Sequence, residues 1–293
     1  MIRASILIKS NDQRNYLERT FPMLSRQTEK NYEIIFLYSG TDESTIELAK
    51  SYGADVIKIK SNPHDYSHSQ ALNLGARHAR GEVLVCLSAD AVPANENWLA
   101  SILRPLDEQQ VAGVYGAHLA GTEANLLDRY RSRLWYGPIG NRQASGAIPG
   151  LSNANSAVRR SLWEKHNFDE SLIQVEDYEW ALWAQKNGYA VVYSPEAKVY
   201  HSHGKRYGIW RYLKRAIEFK LIRDSLDRRY GLPVVTPLPY YIGAALSLLI
   251  AAVICWLRSQ STISGTFALL LLTGPIALVL VAGMGFIQWL SER

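Results

Sequence analysis

Glu82-Val-Leu-Val-Cys-Leu-Ser-Ala-Asp90-Ala-Val-Pro93 decides how the chain folds. Val83 to Leu87 is an unbroken apolar run, which suits a strand covered on both faces, as in a parallel sheet. Ser88, Ala89 and Asp90 then read as leaving the sheet, with Pro93 blocking its continuation. A carboxylate at the carboxyl end of such a strand sits where open α/β sheets bind ligands. Asp90 equally suits a helix cap or a turn. The neighbouring segments bear on that choice.

Upstream, Ile6, Leu7 and Ile8 mark a first strand and Glu33 to Tyr38 a second. The pattern Asp55 to Lys60 marks a third that is partly exposed. Helices are expected over Asn15–Leu24, where Pro22 predicts a kink or a break, over about 44–52, and over Ser69–Ala79. Downstream, Trp98–Leu106 reads as a helix and Val111–His118 as a strand. Residues 151–164 read as a loop entering a helix, and Asp177 precedes a short helix closed by Asn187-Gly188. Tyr189–Tyr193 and Ala197–His203 read as separate strands, with His201 and His203 on one face. The repeated strand–loop–helix order predicts a doubly wound α/β domain. Neither a GxGxxG nor a GxxxxGK[ST] element is present, so a dehydrogenase or P-loop site is not supported.

The 293 residues carry a net charge of +5, 47% hydrophobic and 20% charged residues, a balance that affords a folded core. The charge is localised. Residues 205–229 hold nine Lys/Arg against three acids, +6 in a chain of +5, which leaves −1 elsewhere. That distribution excludes a general nucleic-acid binder. With aromatic and aliphatic residues interleaved, 205–237 reads as a basic amphipathic juxtamembrane segment at an anionic membrane surface. Residues 238–257 and 266–290 are uncharged stretches of 20 and 25 residues. As helices each spans about 30 Å or more, so 238–290 reads as a transmembrane hairpin. The basic residues precede the first span, which places residues 1–237 in the cytoplasm. The two cysteines, Cys86 and Cys255, have no partner at plausible spacing, and neither a disulfide nor a structural zinc is expected.

Three polar features stand out: Asp90, Glu176-Asp177 and His201/His203. One Asp and one His are sparse metal ligation, which suits Mg²⁺ or Mn²⁺ bridging a diphosphate whose oxygens complete the octahedron. Asp177 suits a general base, and an ordinary carboxylate is already ionised at pH 7. Asp177 also suits a helix cap, and His203 a solvated loop histidine.

Over residues 3–204 the chain resembles family 2 of the inverting nucleotide-sugar glycosyltransferases, with the GT-A fold. The resemblance rests on an ordered series of pieces: Ser5-Ile-Leu-Ile-Lys-Ser-Asn-Asp12, Glu33 to Asp42, and Gln70-Ala-Leu-Asn-Leu-Gly-Ala-Arg-His-Ala-Arg-Gly-Glu82. Leu87-Ser-Ala-Asp-Ala-Val-Pro93, Ser152 to Arg160, Glu176-Asp177-x-x-Trp180 and His201-Ser-His203 complete it. The Ser-Ala-Asp-Ala-Val-Pro form is similar to a rhamnosyltransferase-type branch, which implies a deoxythymidine-diphosphate sugar donor. The resemblance implies a GT-A catalytic domain over 1–204, Asp177 as catalytic base, and Asp90 and His203 as ligands of a divalent cation. It places Ser10, Ser39, Asn73 and Asp90 at the nucleotide, and Asn153, Glu176 and Trp180 at the acceptor. The reaction implied is a single displacement that moves a sugar from a nucleoside-diphosphate donor to a glycan or lipid-linked acceptor at the inner membrane. Two positions depart from the family pattern. Ser88 stands where the first acid of a DXD motif belongs, and Tyr38 where an acid often follows the second strand. They motivate an alternative, an inactive membrane-anchored nucleotide-sugar or carbohydrate-binding scaffold. A nucleotidyltransferase would want a glycine-rich loop after the first strand, which Lys9-Ser-Asn-Asp-Gln-Arg14 lacks.

Overall fold

The apolar run at Val83–Ser88 is strand β4, and it lies at the centre of an eight-stranded sheet. The computed structural model describes residues 2–11, 13–59, 67–121, 129, 151–201, 209–232 and 234, with only the backbone of 209–217. The strands are β1 (Ala4–Ser10), β2 (Tyr32–Tyr38), β3 (Asp55–Lys58), β4, β5 (Ala91–Pro93), β6 (Val111–Leu119), β7 (Asn155–Arg159) and β8 (Ala190–His201). Their order across the sheet is β3-β2-β1-β4-β7-β6-β8-β5. β1 to β4 run parallel, with Ile6 between Ile34 and Val85, and Lys9 beside Ser88. β7 is antiparallel to both β4 and β6, β6 is parallel to β8, and β5 is antiparallel to β8. The expected α/β sheet is therefore present, and it is mixed.

Each face of the sheet is covered, which is why β4 is apolar from Val83 to Leu87. Val83, Val85 and Leu87 pack with Ile6, Ile8 and Phe36 under helices α1 (Arg14–Ser25), α2 (Glu43–Ser51) and α4 (Trp98–Leu103). Leu84 and Cys86 face the other way, against Leu7, Ile35 and Leu37. There they meet α3 (His68–His78), α5 (Arg160–Trp163) and α6 (Glu176–Lys186). Each such buried aliphatic side chain contributes about 1.5–3 kcal/mol relative to exposure.

Several sequence expectations are corrected. α1 continues through Pro22, which lies in its last turns and removes only one interior hydrogen bond. After Asp90 the chain does not leave the sheet. It turns back at once as β5, and Pro93 is tolerated because β5 is an edge strand. The helix expected over Trp98–Leu106 ends at Leu103, and Arg104–Asp107 tightens into a 3₁₀ turn. Asn155–Arg159, expected as loop, is a central strand. Its polar Asn155 is buried and cross-links the sheet: Nδ2 donates to the carbonyls of Ala117 (3.3 Å) and Ala197 (2.8 Å), and Oδ1 accepts from Trp98 Nε1 (2.9 Å). The two strands expected over 189–203 are one, β8, with a bulge. Gly116 of β6 pairs with Ser194 and His118 already with Val199, so the residues around Pro195 loop out of register. The bulge turns the Ala197 carbonyl toward β6. A Cβ on Gly116 would lie 2.0 Å from that oxygen, which fixes glycine there.

Helix α7 (Ile209–Tyr230) carries the basic segment. Its second half is not free at a surface: Ile222, Leu226 and Tyr230 pack on Val175, Tyr178 and Leu182 of the α6 region. Tyr178 Oη donates to Asp227 (2.6 Å), Tyr230 Oη donates to Glu179, and the Arg223 guanidinium stacks over Tyr178 at 4.3 Å. Met1–Leu232 forms one compact unit and Pro233–Arg293 another. The expected spans 238–257 and 266–290 lie outside the described residues, as does nearly all of 121–150. Among the described residues no helix is long and apolar enough to cross a membrane.

Candidate active site

The parallel strands β1 and β4 end side by side, and their carboxyl ends carry polar groups at Lys9, Ser10, Ser88 and Asp90. Ser88 Oγ donates to Asp90 Oδ1 (2.5 Å), so the serine that stands in place of an acid orients the remaining one. His201, at the end of β8, brings Nε2 to 3.3 Å from Asp90 Oδ1, and its Nδ1 lies 3.4 Å from Nδ1 of His118 on β6. The antiparallel return through β5 makes this cluster, because it pairs Ala91 with His201. His203 lies outside the described residues. Ser10 is buried and donates to Gln13 Oε1 (2.8 Å), and Ser39 lies next to it, with its backbone N donating to the Ser10 carbonyl (3.0 Å). Tyr38 is buried, and its hydroxyl is held by the backbone of Asp42.

A second group gathers at the start of α6. Glu176 is buried and Oε1 meets His68 Nδ1 at 2.8 Å and Asn153 Nδ2 at 3.2 Å. Asp177 accepts two backbone hydrogen bonds, from Asn153 N (3.0 Å, Oδ2) and Tyr178 N (2.7 Å, Oδ1). Asn153 thus touches both carboxylates, and Ser156 Oγ fixes its amide by donating to Oδ1 at 3.0 Å. Asp177 lies inside the first turn of α6, where the expectation had it just ahead of the helix. The residue before the pair, Val175, has φ 65° and is the only non-glycine with positive φ among the described residues. For a β-branched residue that conformation is strained, by about 1–3 kcal/mol, and such strain concentrates at functional sites.

Burial sets the charge state of the pair. Burial and then the neighbouring Glu176 charge raise Asp177 to about 7, against the two backbone hydrogen bonds. The expectation of an ordinary carboxylate is corrected accordingly. For Glu176 burial also pushes upward, but His68, by its charge and hydrogen bond, outweighs it and Glu176 is held below its usual range. The helix N-terminus favours both anions by roughly 0.3–1 kcal/mol, too little to offset full burial. Lys9 adds a nearby cation: its own burial lowers its proton affinity, and the Glu176 charge partly restores it.

Two other expectations change place. Trp180 is fully buried, packed at tilted angles against Phe168 and Trp183 with Nε1 donating to the His166 carbonyl (2.9 Å), so it is core rather than an accessible wall. Asn73 is also buried. Its Nδ2 donates to the Phe168 carbonyl (2.8 Å) and Glu170 (2.9 Å), and Oδ1 accepts from Trp163 Nε1 (3.0 Å). It ties α3 to the segment before α6 rather than reaching toward a nucleotide. Lys9, His68, His118 and Val175 were missed as site residues. Only Lys9 carried a signal, as a charge ending an otherwise apolar strand.

A divalent cation fits this donor set in part. Asp90 offers a hard carboxylate oxygen and His201 an imidazole, a combination that suits Mg²⁺ or Mn²⁺ when phosphate and water complete the shell. Among the described residues no cluster of three ligating groups forms a site without such help.

A family model, Glycosyl transferase family 2, matches residues 5–166. The O-antigen chain rhamnosyltransferase WbaN of Salmonella anatum is 30% identical over 222 residues, 72% of this chain and 70% of that protein. The O-antigen chain rhamnosyltransferase RfbN of Salmonella typhimurium is 28% identical over 190 residues, 61% of this chain and 60% of that protein. Among solved structures, the mannosyltransferase PcManGT from Pyrobaculum calidifontis, in complex with GDP-Man and Mn²⁺, superposes with a TM-score of 0.63 at 17% identity. That match covers 95% of this chain and 80% of the other. Glucosyl-3-phosphoglycerate synthase from Mycobacterium tuberculosis, with Mn²⁺, UDP-glucose and phosphoglyceric acid, gives 0.56 at 19% identity, covering 79% and 80%. At these identities the structural likenesses speak for the fold alone.

The carboxylate pair yields a pH-dependent prediction. Asn153→Asp places a third carboxyl against Glu176. Folded, that carboxyl is held above the ~3.9 it has when unfolded, so its cost appears as pH rises. Denaturant unfolding is expected to show the variant's deficit against wild type widening by about 2 kcal/mol from pH 5 to pH 8. A deficit independent of pH would contradict the electrostatic reading of this cluster.

Proposed function

The chain belongs to glycosyl transferase family 2 and is a glycosyltransferase, and on that premise we propose that it moves rhamnose from a deoxythymidine-diphosphate donor to a hydroxyl of a glycan or lipid-linked acceptor, inverting the anomeric centre. The observation that carries the mechanism is Asp177, a half-buried carboxylate held by two backbone N–H groups at the start of α6 and pushed up to about 7 beside the buried Glu176. A base poised near the working pH combines the right protonation state with the strongest driving force for proton transfer.

The step balances as a single displacement. The acceptor oxygen forms a bond to the anomeric carbon as the bond from that carbon to the diphosphate oxygen breaks. The acceptor proton passes to Asp177, and the diphosphate leaves with the electron pair. A divalent cation held there would offset charge on the leaving diphosphate. Asp90 and His201 are the described groups placed to hold it, with His203 as a further candidate ligand. Ser88 orients Asp90 by its hydrogen bond, which supports a site retained despite the missing first acid. Lys9, beside Ser88 at the strand ends, places a cation on the side where the diphosphate is proposed to lie. The Salmonella relatives support rhamnose as the sugar and a polysaccharide as the product.

We also propose that residues 238–257 and 266–290 anchor the chain in the inner membrane with the catalytic unit cytoplasmic, which keeps the base near a lipid-linked acceptor. The uncharged lengths and the preceding Lys/Arg cluster support this.

Two measurements test these readings. Purified protein incubated with a panel of nucleotide sugars and Mn²⁺ is expected to release nucleoside diphosphate from a deoxythymidine-diphosphate sugar. Asp90→Ala should lose that release. With acceptor present, Asp177→Asn should lower transfer by about 10²- to 10⁴-fold while donor binding by calorimetry persists. Undiminished transfer by Asp177→Asn would remove the base assignment. For the anchor, the full chain should stay with membranes through an alkaline carbonate wash. Release into the wash would contradict a spanning hairpin.

A further inference from the structure

Glu176 was expected to touch the acceptor, yet its carboxylate is buried and turned to His68 and Asn153. His68 reaches it from a neighbouring helix on the same face of the sheet. It is the first residue of α3, and a capping box fixes that end: Ser67 Oγ accepts from Gln70 N (3.2 Å) and Gln70 Oε1 accepts from Ser67 N (2.9 Å). The same helix is stitched to the segment before α6 by Ser69 Oγ donating to the Leu172 carbonyl (3.2 Å) and by Asn73 donating to the Phe168 carbonyl (2.8 Å). Val175, with φ 65°, immediately precedes Glu176.

We propose that His68 is a positioning residue for the transfer reaction: it clamps Glu176 as a fixed negative charge beside Asp177, the group that takes the acceptor's proton. This rests on the reading of Asp177 as base. The groups facing the pair are Lys9 from β1, His68 from α3, Cys86 from β4 and Asn153 from the segment before β7. Lys9 is itself held down in proton affinity by burial, and the Cys86 thiol is pushed up by burial and by both carboxylates, so it stays neutral. Asn153 is a neutral amide. His68 is therefore the group in direct contact with Glu176 that can carry a positive charge. Its side chain is 35% exposed, against 6% for the carboxylate it holds. Without it, burial is opposed at Glu176 by Asn153 and a backbone hydrogen bond, and the carboxylate takes up a proton and ceases to act on Asp177.

The test needs no substrate. The full chain is labelled with ¹³C at aspartate carboxyls, Asp177 is assigned by its loss in Asp177→Asn, and its midpoint is followed by NMR. His68→Gln keeps a hydrogen-bond donor but no titratable charge, and Glu176→Gln removes the charge directly. Each is expected to lower the Asp177 midpoint by about one pH unit or more, and the double variant by no more than the larger single effect. Thermal melts establish that each variant is folded. If His68→Gln fails to fold, wild-type protein with ¹³C at glutamate carboxyls replaces it. The Glu176 signal, assigned by Glu176→Gln, should then be ionised at pH 6, and a protonated Glu176 overturns the inference. An Asp177 midpoint unchanged or raised in folded His68→Gln also overturns it, since the His68 charge by itself acts to lower Asp177. The base reading fails separately, when Asp177→Asn retains transfer whatever these titrations show.

Discussion

Two carboxylates stand at consecutive positions of one helix, Glu176 buried and Asp177 half-buried, and the cost of desolvating them shapes the site around them. An unpaired buried charge costs several kcal/mol or shifts its proton affinity until it is neutral. Glu176 avoids this by its contacts with His68 and Asn153. Asp177 has only backbone N–H groups, and its proton affinity rises. The same burial thus makes one acid a fixed anion and the other a group able to take up a proton near neutral pH. Environments that push two acids apart in this way are how acid–base roles are divided within a site.

The fold supplies the partners at distances sequence does not announce. His68 and Glu176 are 108 residues apart, and Asp90 and His201 meet only because β5 returns antiparallel along β8. Asn155 and Gly116 hold β6, β7 and β8 together at the bulge, and β8 leads from there to His201. The mixed half of the sheet is therefore the part that builds the polar cluster, while the parallel half presents the strand ends that carry Lys9, Ser88 and Asp90.

Much of this was legible in the sequence. β1, β2 and β4 are apolar at successive positions because helices cover both faces, and their boundaries were read within a residue or two. β7 was not legible, since only Ala157 and Val158 are apolar in a five-residue strand whose place is secured by pairing on both sides. β8 looked like two strands because Pro195 falls where the register slips. At the site, Asp90 and Asp177 followed from the family resemblance, and the structure places both among polar partners. Trp180 and Asn73 share those motif stretches but are buried as framework. A motif marks a segment without saying which of its side chains faces the ligand. The neutral-range behaviour of Asp177 had no sequence signal at all, because it comes from burial and from the fixed charge of Glu176.

The pH dependence of transfer tests this account most directly. With donor and acceptor in hand, kcat/KM is expected to fall on the acid side with a midpoint near 7, set by Asp177. A midpoint near the ordinary aspartate value of about 4 would contradict it, because Asp177 would then be neither desolvated nor opposed by Glu176 in the working enzyme.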